Sequence, residues 1–418
     1  FKYALAVAND GDTDAEVSVT DGPGGTVNFS YVVPGGEMVI IKDLPWKEPL
    51  RVPGNLSTGA FFSRVVKNGA YHVTSTRPVT VYQFNPLDYQ VGANFSYTND
   101  ASLLLPAHVY RDEYMIMSRA TTKITTGVQP LIRPGLFAVV GPDDGPTTMD
   151  ITFSAHTLPS DAQSSVQLGA VTPGTPVNGF KLGPFEVLQI LSGSPNTCPG
   201  TKACGGGGYS CCDLPPEYDL TGTVIQVTDG PNPAVFGGMT MGFIPFNVWA
   251  ADHLEQQMFP LETWGAHYLC AHNITQAAAE PTIWRVMSGS DGNEITFTPS
   301  SVHPAVTLNK GQYVEFESLA DFEVEAPGRV SIAQFMVGQD YTTPAPQNGD
   351  PAMALGVSVE QYRTEYTFLA PDTYVLNYLT VIHETDDRPE LDGNVIAGDT
   401  KEITDEYSRT NLRIFGGV

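Results

Sequence analysis

The chain has 418 residues, of which 41% are apolar and 16% are charged, with 33 prolines and 41 glycines. This apolar content supplies real hydrophobic cores, so the chain is not disordered, and its length predicts about three or four domains. The formal net charge of −25 argues against nucleic acid and anionic membrane as partners, because both are bound through clusters of Lys and Arg. No stretch approaches the roughly 20 apolar residues of a membrane helix, so membrane insertion is not expected.

The composition also indicates the fold class. Thr, Val, Tyr and Phe recur in short alternating runs between turns rich in Gly, Pro and Asp, which is typical of all-β proteins. The first such run, Tyr3–Ala8, follows Phe1 almost at once. We therefore expect an internal fragment or a processed product, and the lack of a targeting segment says nothing about where the protein is located.

The first two predicted modules cover residues 1–100 and 101–250. The second contains an insertion rich in Gly and Cys at residues 192–216. Their strands are predicted at Tyr3–Ala8, Glu16–Thr20, Thr26–Val32 and Met38–Ile41, and at Leu136–Val140, Asp150–Phe153 and Glu186–Ile190. Each module is predicted to close with a strand-turn-strand block, at Tyr71–Phe84 and at Val224–Phe236.

The third predicted module covers residues 251–345, and an incomplete fourth covers residues 346–418. The best candidate for a helix is Asp252–Met258, where Asp252 is suited to an N-cap, the apolar spacing is helical and Pro260 would end the helix. The remaining strands are predicted at Thr282–Met287, Glu294–Thr298, Gln312–Glu317, Phe322–Gln334, Tyr374–His383 and Glu390–Ile396.

Two signals recur at long intervals. A proline-containing hydrophobic run closes a module at Tyr71–Phe84, Val224–Phe236 and Phe322–Phe335, and an aromatic residue four positions before a tyrosine opens one at Tyr110–Tyr114, Trp264–Tyr268 and Tyr362–Tyr366. This self-similarity predicts tandem Ig-like antiparallel β-sandwich modules. A β-propeller-like array is the alternative, although such long units exceed a blade of about 40–50 residues.

The fourth module has an opening signal but no closing run before Val418. By the pattern of the other three it lacks its last strands. A sandwich without them leaves backbone donors and acceptors at an edge, each costing about 1–3 kcal/mol if buried without a partner. The sequence therefore predicts either that the natural protein continues or that another chain completes the sheet.

Four of the five cysteines, Cys198, Cys204, Cys211 and Cys212, lie within the insertion. Vicinal cysteines rarely bond to each other, so we expect Cys211 and Cys212 each to pair with one of the other two, in an oxidising compartment. A zinc site is the alternative, weakened because the spacing is not C-x-x-C. The connectivity stays open, as does whether Cys270 is free, buried or intermolecular.

Two further groups of residues have the chemistry of metal ligands. His267, Cys270 and His272 are close in sequence, but on a strand His267 points away from the other two, so no metal is expected there. Acidic and amide residues recur at turns between strands, where ordinary turn chemistry accounts for them and calcium binding is the alternative. These turn residues are Asp10, Asp12, Asp14, Asp143, Asp144, Asp291 and Asn293.

No catalytic motif is present. The sequence lacks a nucleophile elbow, a His-Glu metal helix and a phosphate-binding glycine loop between a strand and a helix. We therefore expect no enzyme activity and keep a secreted enzyme only as a remote alternative.

Three segments, Val73–Asp88, Asn99–Pro106 and Ala251–Pro260, resemble the N-terminal domain of the IgGFc-binding protein family, especially its bacterial members. The similarity runs from about Phe1 to the end of the chain. The resemblance implies a secreted or surface-exposed, non-enzymatic protein linked to adhesion or matrix. The antibody ligand in the family name is not carried over. Met241 and Ala251 stand where the resemblance leads us to expect cysteines, so one disulfide of the family is missing.

The expected function is display and assembly without a reaction. We expect an extracellular or cell-surface adhesive or structural protein that binds a protein or glycan surface. The alternative is a subunit of an extracellular fibre or sheath, in which the incomplete fourth module accepts a strand from its neighbour.

Overall fold

The computed structural model describes the whole chain except residues 52–53, 56–58, 89, 97, 126–129, 206–207, 274–279, 342–349, 371–375 and 416–418. The described residues form 37 strands, one short α-helix at Glu48–Arg51 and four short 3-10 helices. The strands are arranged in antiparallel sheets that pack as sandwiches. The predicted all-β sandwich class is confirmed.

The strands are numbered in chain order. Strands β1–β12, the first module, are Tyr3–Ala8, Ala15–Asp21, Asn28–Val33, Met38–Leu44, Gly54–Asn55, Ala60–Phe61, Arg64–Val66, Tyr71–Ser75, Thr80–Phe84, Gln90–Val91, Asn94–Phe95 and Ala101–Leu104. Strands β13–β24, the second module, are Glu113–Met115, Thr122–Thr125, Leu131–Arg133, Gly135–Val140, Thr147–Thr152, Pro176–Leu182, Val187–Leu191, Thr201–Cys204, Tyr209–Cys212, Val224–Asp229, Ala234–Phe243 and Ala251–Gln257.

Strands β25–β32, the third module, are His267–Cys270, Thr282–Ser288, Asn293–Thr298, Val306–Leu308, Tyr313–Ser318, Phe322–Glu325, Val330–Phe335 and Met353–Leu355. Strands β33–β37, the fourth module, are Leu376–Glu384, Glu390–Leu391, Asn394–Val395, Asp399–Glu402 and Tyr407–Phe415. The 3-10 helices are Ala107–Val109, Pro216–Tyr218, Leu261–Thr263 and Val359–Gln361.

One pairing scheme is repeated in the first three modules. A central strand pairs on both sides in one sheet, as β1 does with β4 and β9, β16 with β19 and β23, and β26 with β29 and β31. A second strand does the same in the facing sheet, as β2 does with β3 and β8, β17 with β18 and β22, and β27 with β28 and β30. The sequence repeats therefore correspond to a repeated topology.

Alternating side chains build each sandwich core. In β27 every second residue is buried and the others are exposed, as a strand with one face on the core requires. In the third module the ring centroids of Trp284 and Phe322 lie 5.2 Å apart, at the centre of a cluster that includes Ile295 and Phe297. In the first module Val7 and Val17, from facing sheets, pack in the same way.

The helix predicted at Asp252–Met258 is wrong, because Asp252–Gln257 belong to strand β24. Asp252 and Leu254 are buried and β24 pairs with β23, so tertiary pairing overrides the local helical signal. The carboxylate of Asp252 accepts hydrogen bonds from the backbone N–H groups of His253 and Asn99, at 2.6 and 3.4 Å. The side chain of Asp252, which would suit a helix N-cap, thus accepts hydrogen bonds from nearby backbone, and no helix begins there.

The structure divides into two compact units, Phe1–Thr263 with Pro351–Met353, and Trp264–Asp350 with Ala354–Val418. Within the first unit, β7 of the first module pairs with β19 of the second, and an ion pair joins Arg64 Nη2 to Asp161 Oδ2 at 2.6 Å. Strands β12, β24 and β32 pair with β9, β23 and β31 and are therefore counted with the preceding module, although they lie beyond residues 100, 250 and 345. The predicted boundaries at these residues stay predictions.

The fourth module does not repeat the pairing scheme. Among its described residues, β33, β37 and β36 form a three-stranded sheet, and β34 and β35 form a small hairpin. The start of the strand predicted from Tyr374 lies outside the described residues. No described strand follows the opening Tyr362–Tyr366 in the way that β13 and β25 follow theirs.

Candidate functional site

The cysteine-rich insertion folds as a hairpin held by two disulfides. Cys204 is bonded to Cys211 across β20 and β21, and Cys198 is bonded to Cys212. β21 also pairs with β14, which gives the sheet order β15-β14-β21-β20. We call Cys198–Cys212 the knuckle. Because all four thiols are used in disulfides, none is left to bind zinc.

An exposed tryptophan lies beside the knuckle. Trp249 is 42% exposed, and its ring centroid is 5.4 Å from that of Phe243, which packs against the buried Cys204–Cys211 disulfide. A Cβ atom added at Gly205 would come within 3.2 Å of the Trp249 ring, and Gly205 has φ +62°. Glycine at this position therefore provides both the backbone turn and room for the indole ring.

The knuckle exposes further groups suited to binding. Tyr209, directly opposite Cys204 in the hairpin, is 40% exposed, and Lys202 Nζ lies 5.1 Å from the centroid of the Phe246 ring. Exposed tyrosine and tryptophan on a rigid frame are frequent anchors of protein interfaces. We call Trp249, Tyr209, Lys202 and Phe246 the knuckle surface. Sequence reasoning missed it, because single aromatic residues in separate segments give no pattern.

A buried polar network brings together the three segments that carried the family resemblance. Glu255 accepts hydrogen bonds from Gln83 and from Asn85, the latter at 3.0 Å. The Asp100 carboxylate accepts the backbone N–H groups of Glu255 and of Ala101, the latter at 2.8 Å. The network thus ties β24 to the last strands of the first module, within the first unit.

Two titratable groups in this network have shifted pKa values. Burial raises the pKa of Asp100 to about 7, although the positive charge of His253 and two backbone hydrogen bonds oppose the shift. Burial alone would lower the pKa of His253. The hydrogen bond with Glu255 and the negative charges of Glu255, Asp100 and Asp252 outweigh burial and raise that pKa to about 9.

The stability of the first unit should consequently fall as the pH rises from 5 to 9. The raised pKa of Asp100 stabilises the folded unit fully below pH 3.8, and this stabilisation is lost as the pH rises through about 7. The stabilisation from the raised pKa of His253 is complete below pH 6.5 and is lost as the pH rises through about 9. Melting temperatures measured across this range should decrease by several degrees. Asp100→Asn should flatten the lower part of the curve and His253→Gln the upper part, whereas unchanged curves would contradict both assignments.

The opening tyrosines of the second and third modules share one geometry. Tyr114 and Tyr268 are buried, and their hydroxyls donate to the carbonyl oxygens of Pro233 and Val330, at 2.9 and 2.8 Å. Pro233 directly precedes β23, and Val330 is the first residue of β31, the last strand of each closing block. Each opening tyrosine therefore fastens the beginning of its module to the end.

The fourth opening has the same local geometry but a different environment. As in the earlier openings, a backbone N–H three residues upstream donates to the tyrosine hydroxyl, here from Arg363 to Tyr366 at 2.8 Å. Tyr366, however, is 64% exposed, against 1% for Tyr114 and 4% for Tyr268. The described residues offer no closing strand to cover it.

The acidic turn residues do not gather into a cluster. Asp143 Oδ2 lies 3.1 Å from His72 Nδ1, and Asp291 Oδ1 accepts the backbone N–H of Lys310 at 3.0 Å. The buried side chain of Asn293 bonds to Gly328 N and Arg329 O in the closing block. Asp10, Asp12, Asp14 and Asp144 are exposed. In the described part of the chain, no three His, Cys, Asp or Glu residues are placed to hold a metal.

The group around Cys270 is also dispersed. Cys270 is a buried free cysteine, and burial raises the pKa of its thiol well above the ordinary value. His267 Nε2 lies 2.7 Å from Glu323 Oε1, and His272 Nε2 lies 2.6 Å from the carbonyl oxygen of Glu280. These contacts are structural and occur within the second unit.

Comparison with known proteins identifies the family. A family model described as "IgGFc binding protein" matches residues 100–416, which are 317 of the 418 residues. The first predicted module, with the segment Val73–Asp88, lies almost wholly outside the match. No curated protein and no solved structure shows a significant match to the chain.

The match and the structure together indicate a secreted or extracellular binding protein, since the two disulfides require an oxidising environment. Within the described residues, no helix is both long and apolar enough to cross a membrane. The chain belongs to the IgGFc binding protein family.

Proposed function

We propose that this protein is an extracellular adhesive protein that binds a protein ligand through the knuckle surface. The observation that carries the proposal is the exposure of Tyr209 on a hairpin fixed by two disulfides, and of Trp249 beside that hairpin. A rigid frame lowers the entropy lost on binding, so that aromatic contacts contribute more of their free energy to affinity. The net charge of −25 favours partners with basic patches.

Binding should be saturable and should depend on Trp249. We would apply the labelled protein to a microarray of extracellular proteins that includes the Fc fragment of IgG, and to a glycan array. Trp249→Ala should weaken binding to a protein target at least about thirtyfold, because an anchor of this kind contributes about 2 kcal/mol or more. Phe95→Ala, which removes an exposed aromatic ring outside the knuckle, should leave the affinity unchanged.

Three results would contradict the proposal. If the protein shows saturable binding to no protein on the array, the adhesive function is contradicted. Equal losses of affinity in Trp249→Ala and Phe95→Ala would show that the knuckle surface is not the binding site. Binding confined to the glycan array would replace the protein ligand with a carbohydrate.

A second candidate function is a subunit of an extracellular fibre. It is favoured by Tyr366, which has the local geometry of a module opening but is exposed. Strand addition to such an opening would bury the tyrosine and use backbone groups that have no strand partner among the described residues. The two functions are compatible, because the knuckle and Tyr366 lie in different units.

We also propose that the acidic turns function without bound calcium, with calcium binding as the alternative. The melting temperature with and without a chelator should be unchanged, because Asp143 and Asp291 already contact protein groups. A decrease of several degrees in chelator would instead assign calcium to the acidic turns.

A further inference from the structure

We infer that the protein ligand binds the knuckle as an added β-strand along the outer edge of β20. The inference rests on the proposed adhesive function and specifies the partner, an extended polypeptide segment. It begins from the place of β20 in its sheet. The order β15-β14-β21-β20 puts β20 at one edge, and among the described residues only β21 pairs with it.

The register of the hairpin shows which backbone groups of β20 point outwards. One step before Thr201, Gly200 lies opposite Asp213, whose N–H donates to Gly200 O at 2.9 Å. Gly200 therefore turns its backbone groups towards β21, and this direction alternates from residue to residue along an antiparallel strand. The N–H and C=O groups of Thr201 and Ala203 consequently point to the outer edge. Within the described part of the chain, no hydrogen bond outside the β20–β21 ladder uses these four groups.

The outer edge of β20 is open to a partner. Thr201, Lys202 and Ala203 are exposed, and the four residue pairs of β20 with β21 follow one another without a register shift. Edge strands are commonly protected from strand addition by proline, by bulges or by a charge at the edge. β18, an edge strand of the same module, begins with Pro176, and a register shift interrupts its pairing with β17. β20 has neither the proline nor the shift.

The charged side chain of β20 lies over a face of the sheet. Lys202 shares this face with Cys204, because side chains alternate along a strand. Cys204 packs there in a cluster with Phe246, and Lys202 Nζ is 5.1 Å from the centroid of the Phe246 ring. The lysine is thus held by the aromatic ring on the face, and the backbone groups at the edge stay accessible.

Two aromatic rings beside β20 indicate which side chains the added strand carries. Phe246 lies near Lys202, and the Trp249 ring lies beside Gly205, the residue that directly follows β20. Because alternate residues of a strand share one face, every second side chain of the added strand meets these rings. The partner is therefore an extended segment with apolar side chains at alternate positions and no proline where its N–H groups bond. Main-chain bonds supply affinity in this mode, and the alternate side chains supply specificity.

A segment of another protein is the occupant that these observations favour. The edge presents N–H and C=O groups in alternation, and an extended polypeptide supplies the complementary groups at the same spacing. A second copy of the chain is disfavoured, because each copy has a net charge of −25 and two copies repel each other.

The binding mode can be tested with linear peptides. We would apply the labelled protein to an array of short overlapping peptides that cover the extracellular proteins of the microarray, and we expect saturable binding to peptides with alternating apolar residues. In one such peptide, N-methylation of single backbone amides should weaken binding at least about tenfold at every second position and little at the positions between. A peptide bound through side chains alone would not lose affinity in this pattern.

Two variants of Ala203 test the acceptor edge in the full chain. Ala203→Pro removes an outward N–H group and no bond to β21, so it should weaken peptide binding at least about tenfold. Ala203→Ser keeps the N–H group and should leave the affinity unchanged. Both variants should keep the melting temperature of the parent protein. The N-methylated peptides are applied to the unaltered protein, so they decide the question even if Ala203→Pro fails to fold.

Failure of strand addition is distinguishable from failure of the adhesive function. If a protein target binds in a manner that needs Trp249 but is insensitive to Ala203→Pro, the adhesive function stands and strand addition is overturned. The same conclusion follows if proteins on the microarray bind but no linear peptide does, or if N-methylation has no period of two. Oligomers in sedimentation velocity that Ala203→Pro abolishes would assign the edge of β20 to a second copy and overturn the inference.

Discussion

Replacing Arg409 with methionine should lower the free energy of unfolding of the second unit by about 3–5 kcal/mol. Arg409 is only 5% exposed, and its Nε atom donates to Asp321 Oδ2 at 2.8 Å. The other oxygen of Asp321 accepts the backbone N–H of His272 at 2.7 Å. Without the guanidinium, a largely buried carboxylate would lose its charged partner, and burial of an unpaired charge is costly.

A matched control is provided by an exposed ion pair. Arg51 Nη2 lies 2.8 Å from Glu48 Oε2, but both side chains are exposed. Arg51→Met should therefore change stability by about 0–1 kcal/mol. Urea unfolding followed by circular dichroism measures both effects, and hydrogen exchange in β37 shows where the loss occurs. Equal losses in the two variants would show that the buried pair contributes no more than the exposed one.

Replacing Tyr268 with alanine should destabilise the second unit by about 3–5 kcal/mol, whereas Tyr366→Ala should change stability by about 0.5 kcal/mol or less. The two tyrosines occupy the same place in the opening motif, and both accept a backbone N–H bond. Tyr268 also fills the third core and donates to Val330 O, while Tyr366 is exposed. Burial and the second hydrogen bond account for the difference.

Thermal unfolding at low protein concentration measures the contrast between these tyrosines. Tyr268→Phe should recover most of the stability lost in Tyr268→Ala, since only the hydroxyl is then missing. A large destabilisation by Tyr366→Ala in the monomer would mean that its side chain packs within its own chain. Such a result would also remove the basis for strand addition at this opening.

Much of the fold could be predicted from local patterns. The predicted strand Tyr3–Ala8 has the same bounds as β1. The predicted strands Leu136–Val140 and Glu294–Thr298 start one residue after β16 and β27. In these segments apolar and polar residues alternate, or the residues are continuously apolar, and strong turn signals lie on both sides. The strands of the knuckle, β20 and β21, were missed because Gly and Cys carry no alternating pattern.

The polar network could not be located as a site from sequence. Its segments were recognised through the family resemblance, but Asp100 and Glu255 are separated by more than 150 residues. Local periodicity contains no information on such a contact. The helix predicted at Asp252–Met258 failed for the same reason, since pairing with β23 decided its conformation.

The sequence by itself determined the all-β class, the repetition of opening and closing signals, and the family. Each depends on residue order within one segment, where side-chain alternation and turn chemistry act locally. Only the tertiary structure decided that Asp252–Met258 is extended and that Asp100 meets Glu255. It also decided that Tyr366, unlike Tyr114 and Tyr268, is exposed. These properties depend on which distant strands pair, because a strand acquires its environment from neighbours that the local sequence does not specify.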